Sequence, residues 1–118
     1  MNRGIITICE MGAVTMPTVS VWMTQFEIAD LFGVFSCDIH KAIYSIYKNK
    51  ELNESDTMKY VRQSDGISYD TYNIEVVIAI AFRINTPQSK VFRKFLITKL
   101  YGKIHKIIVL NYSNYPIA

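Results

Sequence analysis

The stretch Thr24–Ile46 reads TQFEIADLFGVFSCDIHKAIYSI, and its apolar and small residues fall where two helices joined by a tight turn need them. Ala29 stands where a first helix must let a second come close. Gly33, four residues on, stands where the chain leaves that helix through a positive-φ turn that costs glycine nothing. Val34 and Ile39 supply the turn and second-helix contacts. Ile28, Leu31, Phe32, Ile39, Ile43 and Ile46 recur at helical spacing and make one continuous inner face. The start of the first helix is written redundantly: Thr24 and Glu27 form a capping box, and Met23 and Ile28 take the two positions of a hydrophobic staple. Ser36 can cap the second helix, and Asp38 falls in its first turn, where a carboxylate suits the positive end of the helix dipole. The pattern is that of a helix-turn-helix over residues 24–46, although short helical hairpins in proteins that never touch DNA match it too.

Around this unit, 118 residues of which half are hydrophobic predict one globular domain over residues 1–118 with a core of its own. Two cysteines, Cys9 and Cys37, allow at most one bridge and no disulfide framework, so both read as free thiols of a reducing compartment. The apolar stretch after Arg3 is broken at once by Thr7, Glu10 and Gly12, unlike a signal peptide. The longest apolar run, Val76–Phe82, is far below the roughly 20 residues that cross a bilayer. A cytoplasmic chain with no membrane partner is the expectation. The net charge of +3 hides a split: residues 1–75 carry six basic side chains against all ten acidic ones, and residues 76–118 carry seven basic and none acidic. Such an imbalance speaks to partners and not to fold.

Ahead of the helical pair, Ile5–Glu10 and Ala13–Met16 flank Met11-Gly12 and predict a small N-terminal hairpin, with Pro17 at its edge or end. After it, Leu52-Asn53-Glu54-Ser55 suggests a short turn. Met58–Gln63 and Ile67–Tyr72 then flank Ser64-Asp65-Gly66. Closing a hairpin over residues 58–72 on the Asp-Gly pair as a two-residue turn sets Arg62 opposite Tyr69 and Tyr60 opposite Thr71. Met58, Tyr60, Ile67 and Tyr69 then share one face, and Lys59, Gln63, Ser68 and Asp70 the other. In NIEVVIAIAFRIN strand and helix compete. The Asn73 cap, Glu75 in the first turn, Ala79, Ala81 and the length favour a buried helix over about 74–84. Thr86 as cap and Pro87 at the first position open a helix over 87–101, with Val91, Phe92, Phe95 and Leu96 as its stripe and Lys90, Arg93 and Lys94 on the opposite side. Lys99 falls within the apolar arc, where it must snorkel. Gly102 interrupts the pattern, and the segment after it can continue the helix or turn into a strand. The tail, residues 111–118, has Pro116 and little periodicity.

The order VWMTQFEIADLFGV, IYKNKELNES, a hairpin, YNIEVVIAIAFRIN and FRKFLITKL resembles the N-terminal region of the bacterial virulence RhuM family, in which a V-W-L/M-T-Q start precedes a helix-turn-helix. The resemblance runs from about Val21 to Leu100. Tyr72-Asn73, Phe82-Arg83-Ile84-Asn85 and Phe92-Arg93 carry it more specifically than the helical pair alone. It implies an α+β winged helix-turn-helix domain, with the hairpin as wing and helices at the C-terminal side, that binds DNA. Members of the family are usually longer than this chain, and related sequences open the second helix with Ser, Thr, Arg or Gln where this one has Phe35-Ser36-Cys37-Asp38.

With Ile39, Ile43 and Ile46 turned inward, the outward face of the second helix is Cys37, His40, Lys41, Tyr44 and Lys48, beginning at Ser36. Lys41 and Lys48 suit phosphates, and His40 and Tyr44 suit a phosphate or a base edge. Asp38 is unfavourable near a duplex. Lys90 and Lys94 of the basic third would add phosphate contacts without sequence information; the competing reading is that this charge only neutralises carboxylates of the first half. Other chemistry is weaker. Cys37 and His40, three apart, fall short of the four ligands of a zinc site, with only Cys9 and His105 as further soft donors. No signature of a cysteine nucleophile, phosphate loop or dinucleotide site is present, so neither an enzyme nor a cofactor is expected. Arg83 and Arg93 are read as capping a helix end and pairing with carboxylates of the acidic half. Two function classes follow. One is a DNA-binding protein, a transcriptional regulator acting as a homodimer because one short helix reads only a few base pairs. The other is a protein-interaction module on the same scaffold that never meets DNA.

Overall fold

In the computed structural model, which describes residues 2–113, the elements in chain order are strands β1 (Thr7–Ile8), β2 (Val14–Thr15) and β3 (Met23–Thr24), helices α1 (Gln25–Phe32), α2 (Ser36–Lys48) and α3 (Glu54–Thr57), strands β4 (Met58–Arg62) and β5 (Ser68–Tyr72), and helices α4 (Ile74–Ala81) and α5 (Pro87–Ser113). Among the described residues this is an α+β fold of five helices with two small antiparallel sheets, β1-β2 and β3-β5-β4. No helix among them is long and apolar enough to cross a membrane. Residues 114–118 of the tail lie outside the described residues.

Thr24 caps α1 as its sequence requires. Its hydroxyl accepts from the Glu27 N–H at 3.2 Å, and the Glu27 carboxylate accepts from the Thr24 N–H at 2.8 Å. The same carboxylate takes a second partner that local pattern could not announce, a two-pronged pair with Arg3 at 2.7 and 3.1 Å. Arg3 also donates to the Trp22 carbonyl at 2.8 Å, tying the N-terminus to the start of the helix. Burial acts to raise the Glu27 carboxyl, but the hydrogen bonds from Arg3 and Thr24 outweigh it and hold the group below its ordinary value. Gly33 ends α1 at φ 66°, ψ 39°, and the Val34 N–H closes onto the Ala29 carbonyl at 3.1 Å.

The cap expected of Ser36 is not made. Phe35 occupies the N-cap of α2 with no side-chain hydrogen bond, and the Ser36 hydroxyl instead accepts from the Gln25 amide at 2.7 Å. Ser36 already lies inside the helix, beside the first turn of α1, where Gln25 reaches both its hydroxyl and its carbonyl. Asp38 does sit in the first turn of α2.

The β4–β5 hairpin forms in a register one residue away from the expected one, with Arg62 opposite Ser68, Tyr60 opposite Asp70 and Lys59 opposite Thr71. The loop holds three residues instead of two. Gln63 donates to the Ile67 carbonyl at 2.9 Å, Gly66 sits at φ 83°, and the Asp65 carboxylate accepts from the Ile67 N–H at 2.9 Å. A left-handed glycine at the third position is the usual closure of a three-residue loop. The single-residue slip exchanges faces: Met58, Tyr60 and Arg62 share a side with Tyr72, Asp70 and Ser68, while buried Val61 and Thr71 lie on the other. Because β3 pairs with β5, the strand that leads into α1 is zipped directly to the hairpin.

Asn73 caps α4, its side chain accepting from the Glu75 and Val76 N–H groups, but the helix ends at Ala81, short of the expected 84. Carbonyls at its end and in the connection after it are met by Arg93, which corrects the placement of that side chain on the outer side of α5: its guanidinium donates to the Ala81 and Ile84 carbonyls, each at 2.7 Å. Thr86 caps α5 by accepting from the Ser89 N–H at 3.0 Å and anchors it by donating to the Phe32 carbonyl at 2.7 Å. Gly102 does not interrupt α5, which runs on to Ser113 and so past the expected end at 101. A helical glycine costs about 1 kcal/mol, too little to stop a helix whose flanking residues favour it.

One core joins these parts. Ile28, Phe32, Ile39, Ile46, Val76, Val77, Ile80 and Phe92 are fully buried, joined by Ile6 just ahead of β1 and by Met23 and Tyr72 from β3 and β5. Phe32 and Phe92 meet edge-on with ring centres 5.6 Å apart, an arrangement that favours aromatic pairs.

Candidate functional site

At 3.6 residues per turn, Cys37, His40, Lys41, Tyr44 and Lys48 fall within an arc of roughly 100° on α2, opposite buried Ile39, Ile43 and Ile46. All five are exposed. The Lys48 ammonium lies 5.7 Å above the Tyr44 ring, a cation–π contact that holds both side chains along the helix. Ser36 is half-buried and engaged by Gln25. The α2 candidates are thus gathered on one face. Lys90 and Lys94 are exposed on α5, which packs on α1, α4 and β2, whereas α2 packs on α1 and α4.

Two open grooves border the α2 face. One, of about 510 Å³, runs between α2 and the three-stranded sheet and is lined by His40, Tyr44, Lys48, Glu54, Asp70 and Tyr72 among others. The other, of about 770 Å³, lies between α2 and the α4–α5 connection, with Asp38 and Lys41 on one side and Arg83 and Thr86 on the other. Three carboxylates, Asp38, Glu54 and Asp70, therefore border the lysines. At the floor of the first groove, burial and then the charges of Asp70, Tyr47 and Glu54 push the Tyr72 phenol up to about 12, so it stays neutral. Tyr47 is also raised, first by burial; its hydroxyl lies 2.9 Å from that of Thr57, which donates to the Asn53 carbonyl and so links the end of α2 to α3.

Sequence reasoning missed Gln25, which ties the start of α1 to that of α2, and exposed Phe26 and Phe35 beside it. A glutamine directly after a capping threonine was the available signal for the first. Nothing local marked Phe35, because a phenylalanine in a turn normally reads as core. Cys37 and His40 gain no further ligand among the described residues, which hold no group of three or more metal-binding side chains; the His105 ring lies outside them. Arg83 pairs with Glu51 of the acidic half and Arg93 caps the end of α4.

No family model, curated protein or solved structure matches this chain.

Proposed function

We propose that the chain is a winged helix-turn-helix protein that binds duplex DNA with α2 and has the β4–β5 hairpin as its wing, in the manner of the virulence RhuM family and with a regulator's role in transcription. The observation that carries this reading is the outward face of α2: a continuous exposed arc of Cys37, His40, Lys41, Tyr44 and Lys48 on a helix whose other side is fully buried. A groove-reading helix needs one face locked into the body and the other bare. Further support comes from the sheet order β3-β5-β4, which holds the hairpin beside the helical pair. The Gln25–Ser36 bridge fixes the start of α2 against α1. In this reading Lys41 and Lys48 position the helix on phosphates, and His40 and Tyr44 meet base edges.

Binding to random and selected duplexes across a salt series tests it. Affinity is expected to fall steeply with salt, by about 0.9 in logarithmic slope per phosphate neutralised, and Lys41→Gln with Lys48→Gln is expected to lower that slope by about 2. His40→Ala or Tyr44→Ala is expected to alter sequence preference. Lys90→Gln with Lys94→Gln lowers the slope only if α5 reaches the flanking backbone. Absence of salt-dependent binding at low salt sinks the proposal. The carboxylates around α2 favour a second reading, a protein-interaction module whose partner is basic, and that reading expects no DNA binding under any salt condition.

A further inference from the structure

The register of the β4–β5 hairpin decides which of its side chains stand beside α2. Met58, Asp70 and Tyr72 line the groove between α2 and the three-stranded sheet, together with His40, Tyr44 and Lys48. Side chains alternate along a strand, so Tyr60 and Arg62 lie on the same side of the hairpin as Met58, with Tyr60 paired to Asp70 and Arg62 to Ser68. This flank therefore continues the wall of the groove outward from the α2 face. Tyr60 is 72 % exposed, and exposed Arg62 has no hydrogen bond or ion pair from its side chain among the described residues. The other arginines are all engaged: Arg3 with Glu27, Arg83 with Glu51, and Arg93 with the Ala81 and Ile84 carbonyls. The hairpin tip is different. Its charge is the Asp65 carboxylate, turned onto the Ile67 N–H and the Tyr69 hydroxyl, and an anion there repels phosphate.

We infer that the flank of the hairpin, through Arg62 and Tyr60 and not through its tip, makes a second backbone contact on the duplex that α2 reads. The inference rests on the DNA reading and extends its interface to residues outside α2. A guanidinium suits phosphate oxygens because its planar fork donates two parallel hydrogen bonds, and the Tyr60 hydroxyl supplies a further donor. From Met58 to Arg62 the strand advances about 14 Å, so the phosphates met by Arg62 flank those met by Lys41 and Lys48. Glu54 and Asp70 line the groove between the two contacts. The DNA backbone is therefore met at the two rims of the groove and not along its floor. Asp70, exposed and directly across from Tyr60, is the like charge on the flank, and it works against the contact.

Fluorescence anisotropy of the full chain on a random-sequence duplex across a salt series tests this. Arg62→Gln is expected to lower the logarithmic salt slope by about 1, Arg62→Lys to leave it unchanged, and Arg62→Gln added to Lys41→Gln and Lys48→Gln to lower it by about 3 in all. Tyr60→Phe is expected to weaken binding without changing the slope, since it removes a donor and no charge. Asp70→Asn is expected to tighten binding by about two- to fivefold at low salt, the scale of an exposed charge pair, whereas Asp65→Asn at the tip leaves it unaltered. Circular dichroism is expected to be the same for all of these exposed positions. Phosphate-ethylation interference gives an independent reading: the native chain is expected to need phosphates beyond those released by Lys41→Gln and Lys48→Gln, and Arg62→Gln to release them. Steep salt-dependent binding that Arg62→Gln leaves intact overturns the inference and spares the DNA reading. Absence of salt-dependent binding by the native chain overturns both. Tighter binding by Asp65→Asn than by Asp70→Asn also overturns the inference, because it would place the contact at the tip.

Discussion

Gly33 sets the angle at which α2 leaves α1, and replacing it by alanine tests how far that turn depends on a left-handed residue. At φ 66° and ψ 39° a Cβ costs roughly 1–2 kcal/mol through its clash with the local backbone. The added carbon would also lie 2.7 Å from Nε2 and 2.9 Å from Cδ of Gln88. These atoms are the far end of a flexible side chain, so the steric part adds only about 0.5–1 kcal/mol, the cost of an unfavourable rotamer. Gly66 supplies the control: it is also left-handed, at φ 83°, but a Cβ there meets nothing within 4 Å. Gly33→Ala is therefore expected to destabilise by about 1.5–3 kcal/mol and Gly66→Ala by about 1–2 kcal/mol. In a chain of this size each kcal/mol lowers the melting midpoint by roughly 3–6 °C. Urea titration with circular dichroism, alongside thermal melts, reads both. Adding Gln88→Ala to Gly33→Ala should recover the steric part alone, about 0.5–1 kcal/mol. A Gly33→Ala chain as stable as the native one would refute the account of the turn, and recovery of the whole loss by Gln88→Ala would show that sterics, not backbone strain, decide it.

Lys50 is left-handed at φ 56° just after α2, so Lys50→Gly is expected to gain about 0.5–1 kcal/mol by the reverse argument, measured by the same urea titration. Ala29 is buried where α1 and α2 cross; Ala29→Leu is expected to cost about 1–3 kcal/mol through overpacking, and an unchanged melting midpoint would show that no close contact exists there. The depressed Glu27 carboxyl contributes stability that is complete above its unfolded value and is lost as pH falls through the lower folded value. Urea midpoints across the acid range should therefore drop less for Glu27→Gln than for the native chain, and parallel acid limbs would count against the Arg3–Glu27 pair. Arg93→Met leaves the Ala81 and Ile84 carbonyls without their charged donor and is expected to cost about 1.5–3 kcal/mol without changing the salt slope of any DNA binding; a changed slope with unaltered stability would move Arg93 into the interface.

Much of the fold is written in residues only a few positions apart. The Thr24–Glu27 box, the left-handed Gly33, the Asn73 and Thr86 caps and the burial of Ile39, Ile43 and Ile46 follow from contacts within one or two helical turns, where spacing alone brings the groups together. For the same reason the outward arc of α2 could be named residue by residue, since a helix whose inner face is known has its outer face decided. Tertiary structure determined the rest. Ser36 yields its capping role to a contact with Gln25 that exists only once α1 and α2 have crossed. The hairpin register turned on whether Asp65-Gly66 closes a loop of two residues or three, and a one-residue difference turns one strand's faces over relative to the other's. Arg93 reads as a surface cation until the end of α4 and the connection after it present the Ala81 and Ile84 carbonyls within its reach. Lys99, which local pattern set within an apolar arc, is exposed above the Phe95 ring at 5.7 Å, because the core ends at Leu96 and beyond it α5 has no body to lie against. Helical periodicity shows which side chains share a face, but only the packed neighbours decide which of those faces meets protein and which meets water.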